Sequence, residues 1–472
     1  MNSHFEITEE VRCAHEYLSP SFGALLDHAA RSPQGLRPID YGREAEDPAV
    51  KDTYYYPIQA WPMLISHQRM SELADITVGL MRLTRDLPRR AFGRQVERLM
   101  TYYGIELDTL DPTFLEPPTG LEHCISRLDF VMTERGLQCV EMNLGGNLGG
   151  WQLRFWEPIC RQNAFNRQFF ETQGIEPFYR DPLRSMLEHI VHQLAQSPWG
   201  QRGEDLHLAI GFSAEDLATA QRALDSVQEL YRDVLAQEPG NCGGQIWFCE
   251  YGKDLELDDE ARLSLNGQRL HALVEYAPED TRPAVYHSLK AGELLLFNGP
   301  LSNVLGGKAT LALLSELTET DLLDEDEKSL IDRSVPWTRN LCVTETTFRG
   351  DSGLLPELAV RHRNDLVLKP SFGTRGEQVH VGRYLAPRRW EELVQKALGS
   401  SRWILQQHCS SVPYLYQLGE QGAGEHDVVW GLFAFGETFG GGFLRLNPKI
   451  KADNLGVINS ATGASEGFIY EI

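Results

Sequence analysis

The chain has 472 residues, of which 42% are apolar, and a formal net charge of −23. That length exceeds one ordinary core and suits two or three domains. So acidic a balance excludes a broad basic face for nucleic acid, and any anion site must be built locally from a few lysines, arginines, backbone N–H groups or metal ions.

Residues 1–120 read as mostly helical, on the apolar spacing of MSELADITVGLMRLTRDL and RRAFGRQVERLMTYYG. SRLDFVMTERGLQCVEMN (126–143) then alternates as a hairpin, and the glycine stretch GGNLGG follows. A helix is predicted around 181–196. LHLAIGF (206–212) and QIWFCEY (245–251) read as strands with a helical pattern between them at 214–236. LSLNGQRLHALVEY carries the Asn266-Gly267 hairpin signal. Alternating strand and helix make this middle part an α/β module.

LLLFNGP leads into GGKATLALLSEL, a strand-to-helix joint, and the acidic run 318–328 reads as a solvated face or linker. LVLKPSFGTRGEQVHVG (366–382) is two strands around a glycine loop, with Pro370 expected to stop the first strand's pairing. PRRWEELVQKALG is a helix and WILQQH a strand. DVVWGLFAFGETFGGGFLRLNP is a hairpin, and INSATGASEG a loop of small residues. The eight cysteines form no CxxC pair, against a structural zinc site or disulfide framework. The polar, acidic start is unlike a signal peptide, and no apolar run approaches the roughly 18 residues of a membrane span. A cytoplasmic setting is the expectation.

Side chains two apart share a face of a strand. A three-residue turn of Glu134, Arg135 and Gly136 would pair Thr133 with Leu137. Continued along the hairpin, that register sets Arg127 opposite Asn143 and Asp129 opposite Glu141. The other face would hold Leu128, Phe130, Met132, Val140 and Met142. Opposed carboxylates repel unless a cation or proton lies between them. Two carboxylates and an amide oxygen suit Mg²⁺. Loose salt bridges on an exposed sheet are the competing reading.

Lys369 ends the apolar strand LVLK, and Lys308 opens a helix behind two glycines. Each could meet a phosphate, or simply be solvated. The loop around Gly373 and Gly376 could bring N–H groups to phosphate or be a plain hairpin loop. GGNLGG lacks the strand–helix–acid order of a dinucleotide site. Its glycines, Gly145 and Gly146 first, read as bare backbone against which a substrate could lie.

From about residue 121 onward the order of these motifs resembles the ATP-grasp ligases of circularly permuted type. The nearer likeness is to the synthetase domain of glutathionylspermidine synthetase, the more distant one to eukaryotic glutathione synthetase. The R-x-D strand before an E-x-N strand carries it, as Arg127-Leu-Asp129 and Glu141-Met-Asn143. The resemblance implies a mixed α/β (α+β) fold with an antiparallel ATP-binding sheet, a G-loop lid and an inserted α/β module. Residues 121–200 and 416–472 would form the core sheet, 201–300 the module and 301–415 the lid region. It implies Asp129, Glu141 and Asn143 as ligands of two Mg²⁺ ions and Arg127 as the catalytic cation. Lys308, Lys369, the loop glycines Gly373 and Gly376, and Gln406 at the adenine hinge would bind ATP, with Gln407 the alternative to Gln406. Arg375 and Arg445, the latter closing a G-x-x-x-R element from Gly441, would contact substrate.

The implied activity is ATP-dependent joining of a small-molecule carboxylate to an amine through an acyl phosphate, releasing ADP and phosphate, with no nucleic acid or membrane partner. A phosphotransferase that stops at a phosphorylated product and a non-catalytic nucleotide-binding protein are the alternatives. Two departures stand out. The family's G-R-E-G loop reads Gly373-Thr374-Arg375-Gly376 here, with Glu377 one residue beyond. The cysteine amidase domain often fused to glutathionylspermidine synthetase has no counterpart in the chain. A substrate other than that family's best-known one is therefore expected.

Overall fold

Buried residues three and four apart, at Met70, Leu73, Thr77, Leu80, Thr84 and Leu87, give the helix His67–Phe92 one inward face. It belongs to the computed structural model of the chain, which describes residues 5, 7–32, 38–44, 51, 56–93, 95–105, 121–144, 148–239, 243–250, 253–275, 283–373, 378–399, 402–418, 422–449 and 456–472. Helices Glu9–Leu18 and Pro20–Arg31 precede it, each started by a hydroxyl cap, Thr8 and Ser19. Between them and the long helix lies a short strand, β1 (Met63–Ile65). The predicted hairpin follows as β2 (Ile125–Thr133) and β3 (Gly136–Asn143).

The middle part is the α/β module read from the sequence. β4 (Leu208–Phe212), β5 (Ile246–Glu250), β9 (Ala272–Val274) and β10 (Leu295–Phe297) form a parallel sheet in the order β10-β9-β4-β5. Between β5 and β9 lies a small antiparallel sheet of β6 (Leu255–Leu257), β7 (Leu263–Leu265) and β8 (Gln268–Arg269). Its turn has Asn266 and Gly267 both at positive φ, 53° and 74°, as the hairpin signal requires.

A second antiparallel sheet comes next, ordered β11 (Thr338–Asn340), β16 (Trp403–Gln407), β14 (Leu366–Pro370) and β15 (His380–Val381). The hairpin β12 (Glu345–Phe348) and β13 (Asp351–Leu354) lies outside it. Pairing of β14 does not stop at Pro370, contrary to the sequence reading. Pro370 stands opposite Trp403, and Ser371 N–H still donates to the Arg402 carbonyl at 2.7 Å. Proline removes one donor, but as the last residue of the strand it disrupts nothing further. Of the two readings of the acidic run, the solvated face holds, since Glu319, Asp321, Asp324, Glu325 and Asp326 are exposed, and the linker does not. Asp324 and Glu327 form a reciprocal capping box that starts the helix Glu325–Ser334.

The chain ends in β17 (Tyr414–Gln417), β18 (Ala423–Phe435), β19 (Thr438–Pro448) and β20 (Ser465–Glu471). These complete a seven-stranded core sheet, β1-β20-β19-β18-β2-β3, with β17 also on β18. The small-residue tail read as a loop thus runs into a strand that lies between β19 and β1. β1 pairs in parallel with β20, Met63 opposite Ile469, so the helical N-terminal region contributes one strand to this sheet. The fold is mixed α/β with several sheets. Among the described residues no helix is long and apolar enough to cross a membrane.

Candidate functional site

The hairpin turn has two residues, not three. Thr133 pairs with Gly136, whose φ of 102° suits glycine, and Glu134 and Arg135 form the loop. A regular ladder from that turn would misplace the site by one residue. It does not, because β3 carries a bulge. Phe130 pairs with Cys139 but Asp129 pairs with Glu141, leaving Val140 as the extra residue, and Arg127 comes to face Asn143. The expected site pairing is therefore present for a different reason. Val140 leaves the apolar face where alternation had put it and lines the cleft beside Val131. Its carbonyl accepts a hydrogen bond from Lys369 Nζ at 3.0 Å.

Four cations close on the two carboxylates. Arg127 binds Asp129 through Nε at 2.8 Å and Nη2 at 3.2 Å. Arg445 Nη2 reaches Asp129 Oδ2 at 2.7 Å from β19. Lys308 Nζ lies 2.8 Å from Glu141 Oε1 and donates to the Gly373 carbonyl at 3.0 Å. Lys369 completes the set, donating also to Gln406 Oε1 at 2.6 Å. Gln406 Nε2 is held in turn by Thr338 Oγ1 at 3.2 Å. Arg127, Asp129, Lys308, Lys369, Gln406 and Arg445 are all buried. The surplus is two positive charges, inside a chain whose net charge is −23.

Burial pushes the Asp129 carboxyl up, but Arg127 and Arg445 outweigh it and bring it down to about 2. Burial likewise opposes the Glu141 carboxylate, and Lys308 still draws it below the usual range. Burial lowers the Lys369 ammonium to about 8, despite the attraction of Glu141. Both carboxylates are therefore ionised at neutral pH. Their mutual repulsion is relieved by different cations, guanidinium groups on Asp129 and an ammonium on Glu141.

The donor set suits a hard divalent cation in its chemistry. Glu141 Oε2 makes no hydrogen bond or ion pair among the described residues, and Asn143 turns Nδ2 to Asp129 Oδ2 at 3.2 Å, leaving its Oδ1. Two carboxylates and an amide oxygen are what Mg²⁺ takes when phosphate and water complete its shell. Asp129 Oδ2 is taken by Arg127, Arg445 and Asn143, whereas among the described residues Oδ1 accepts only from Arg127 and keeps a lone pair. Among the described residues no group of three or more His, Cys, Asp or Glu side chains could hold a metal.

The cluster sits at the inner end of a cleft of about 1450 Å³, its open mouth included. Val131 and Val140 lie on one side and Val367, Val379 and Val381 on the other, between the core sheet and the second sheet. Gly307 approaches Phe372 so closely that a Cβ there would lie 2.9 Å from the ring. That brings Lys308 under the start of the glycine loop. Gly150, with φ of 86°, packs on Phe443, and Gly149 faces Arg127.

The structure thus gathers Arg127, Asp129, Glu141, Asn143, Lys308, Lys369, Gly373, Gln406 and Arg445. Gly145, Gly146, Arg375 and Gly376 lie outside the described residues. Gln407 also lines the cleft, but Gln406 is the glutamine bound to Lys369. Thr338, Arg383 and Tyr384 were not singled out from the sequence. Thr338 follows from its register opposite Gln406, whereas Arg383 and Tyr384 sit on a single 3-10 turn, Gly382–Tyr384, too short to give a periodic signal. No protein-family model matches the chain, and no curated protein is similar enough in sequence to count as a match.

Proposed function

We propose that the chain is an ATP-dependent carboxylate–amine ligase of ATP-grasp type that works with Mg²⁺. One observation carries the reading. Lys308, Lys369, Arg127 and Arg445 come from separate elements and converge, buried, on two opposed carboxylates at the end of a cleft between the core sheet and the second sheet. Such a cationic pocket in so acidic a chain suits a polyphosphate, and the free carboxylate and amide oxygens suit the cation that accompanies it.

Asp129, Glu141 and Asn143 would hold Mg²⁺, which neutralises charge on the phosphoryl oxygens. The valines of the cleft would take the adenine, and Lys308 and Lys369 the phosphates. Arg127 faces the transferred phosphoryl group and the acid. The acid's carboxylate attacks the γ-phosphorus, the bond to ADP breaks, and an acyl phosphate forms. The amine then attacks the acyl carbon, loses a proton, and phosphate leaves. Activation is needed because a carboxylate oxygen is a poor leaving group. Exclusion of water would protect the acyl phosphate.

The test is ADP and phosphate release by the full chain with MgATP and pairs of acids and amines, with mass spectrometry of the product. Release that needs both partners, and an amide product, supports the ligase. Release with one acceptor and a stable phosphorylated product replaces it with a phosphotransferase. Nucleotide binding without turnover replaces it with a non-catalytic protein. Glu141→Ala should abolish turnover with the circular dichroism spectrum unchanged; near-normal turnover removes the metal role.

A further inference from the structure

One face of the core sheet carries three zones in line. Ile125, Arg127, Asp129 and Val131 of β2 share it, opposite Phe435, Phe433, Gly431 and Val429 of β18. The valine end opens on the nucleotide cleft, and the charged cluster is in the middle. The remaining end, Ile125, Phe433 and Phe435, is the floor of a separate slot. Its roof comes from the α/β module, with Phe212 and Val274 at the carboxyl ends of β4 and β9 and with Ile210 and Phe248 in mid-strand. Crevices at the carboxyl ends of parallel strands are where such sheets bind ligands.

Every residue lining the slot is apolar, and its cavity volume is about 40 Å³. The charged group next to it is Arg127, directly opposite Phe433. Asp129 occupies Nε and Nη2 of that guanidinium. Nη1 carries no hydrogen bond among the described residues and faces Gly149, where a Cβ would lie 3.7 Å away. Leu148 and Trp151, on either side of the glycine pair, belong to the slot wall. The slot therefore has an apolar body, and Arg127 stands beside it, next to Phe433 and Gly149, without lining it.

We infer that the acid substrate is a small monocarboxylic acid with an apolar tail, its tail in this slot and its carboxylate at Arg127. An ammonium would meet a guanidinium beside the slot and no carboxylate inside, so the amine enters elsewhere. A tail with a charged or amide end would lose its hydration against walls that offer no partner. The cavity is small, about 40 Å³ against the roughly 300–1,000 Å³ of ordinary ligand pockets, so it takes only a slim, unbranched tail and neither a ring nor the whole acid. The geometry also sets the order of parts. The acid lies on one side of the Asp129 and Glu141 cluster and the nucleotide on the other, so carboxylate and γ-phosphate meet over Arg127.

This inference rests on the ligase reading, and the experiment separates the two. Hexanoate, acetate, succinate and glutamate are titrated into the full chain by calorimetry without ATP, then supplied with MgATP and an amine panel for ADP release. Hexanoate should bind at least tenfold tighter than succinate or glutamate. In Val274→Phe the ratio of hexanoate to acetate affinity should fall at least tenfold. Taking a ratio within one variant cancels any loss of folded protein. Val274→Ala, which opens the slot, should move the preferred chain length upward. Apolar acids that bind in this pattern without ADP release leave the slot standing and overturn the ligase. ADP release with succinate or glutamate, and no preference for apolar acids, leaves the ligase standing and overturns the slot assignment. Ratios unchanged in both Val274 variants overturn it as well, and reduce the slot to a packing gap.

Discussion

Lys308→Met tests the charge arrangement without reference to any substrate. Coulomb's law at an effective dielectric of about 20 gives roughly 6 kcal/mol for a pair at 2.8 Å, before desolvation is subtracted. Directly opposed strand residues put Glu141 about 5 Å from Asp129, which is roughly 3 kcal/mol of repulsion on the same basis. Breaking a buried pair typically costs about 3–5 kcal/mol. Water in the cleft offsets part of that, because the Glu141 side chain keeps 29% of its surface exposed. The expected loss is therefore about 2–3 kcal/mol. Adding Glu141→Gln to Lys308→Met should recover most of it, since the orphaned charge is gone. Urea denaturation of the wild type, both single variants and the double variant gives the coupling energy from differences alone. Coupling below about 0.5 kcal/mol would show that Lys308 and Glu141 do not form the pair and would remove the electrostatic basis of the site.

Three further outcomes are expected. His15 is buried, its Nε2 accepts from Leu415 N–H at 3.0 Å, and burial lowers it to about 3 from its ordinary 6.5. The unfolded chain binds that proton first, so stability should fall by a few kcal/mol as pH drops from about 6.5 toward 3, and His15→Gln should flatten the slope of denaturation midpoint against pH. Gly150→Ala puts a Cβ 2.4 Å from the Phe443 ring at φ of 86°, and should lower stability by about 1–3 kcal/mol; an unchanged melting temperature would contradict the packing of this loop. Gln406→Leu leaves Lys369 without its amide acceptor and should weaken ATP binding at least tenfold in a calorimetric titration, whereas Gln407→Leu should have the smaller effect.

Much of the local structure is legible in the sequence because it depends on near neighbours. The 3.6-residue spacing of 70–87 announces a helix, and Asn266-Gly267 announces a hairpin. The Asp129 and Glu141 pairing was legible for a partly wrong reason, since the turn is one residue shorter and the Val140 bulge restores the register. Nothing in alternation alone signals a bulge. β20 escaped notice because Ser465, Glu466 and Gly467 resemble the loop before them, and pairing with β19 and β1 decides that they are a strand.

By itself, then, the sequence determined the face that Arg127, Asp129, Glu141 and Asn143 share, because strand geometry places side chains two apart on one side. It also determined the acidic background against which a cationic pocket carries meaning. Only the tertiary structure decided which cations neutralise which acid. Lys308, Lys369 and Arg445 are distant in sequence from the hairpin, and a lysine's solvation and its burial look identical until the chain closes over it. Docking the module on the core sheet likewise created the apolar slot beside Arg127, since neither surface encloses it alone.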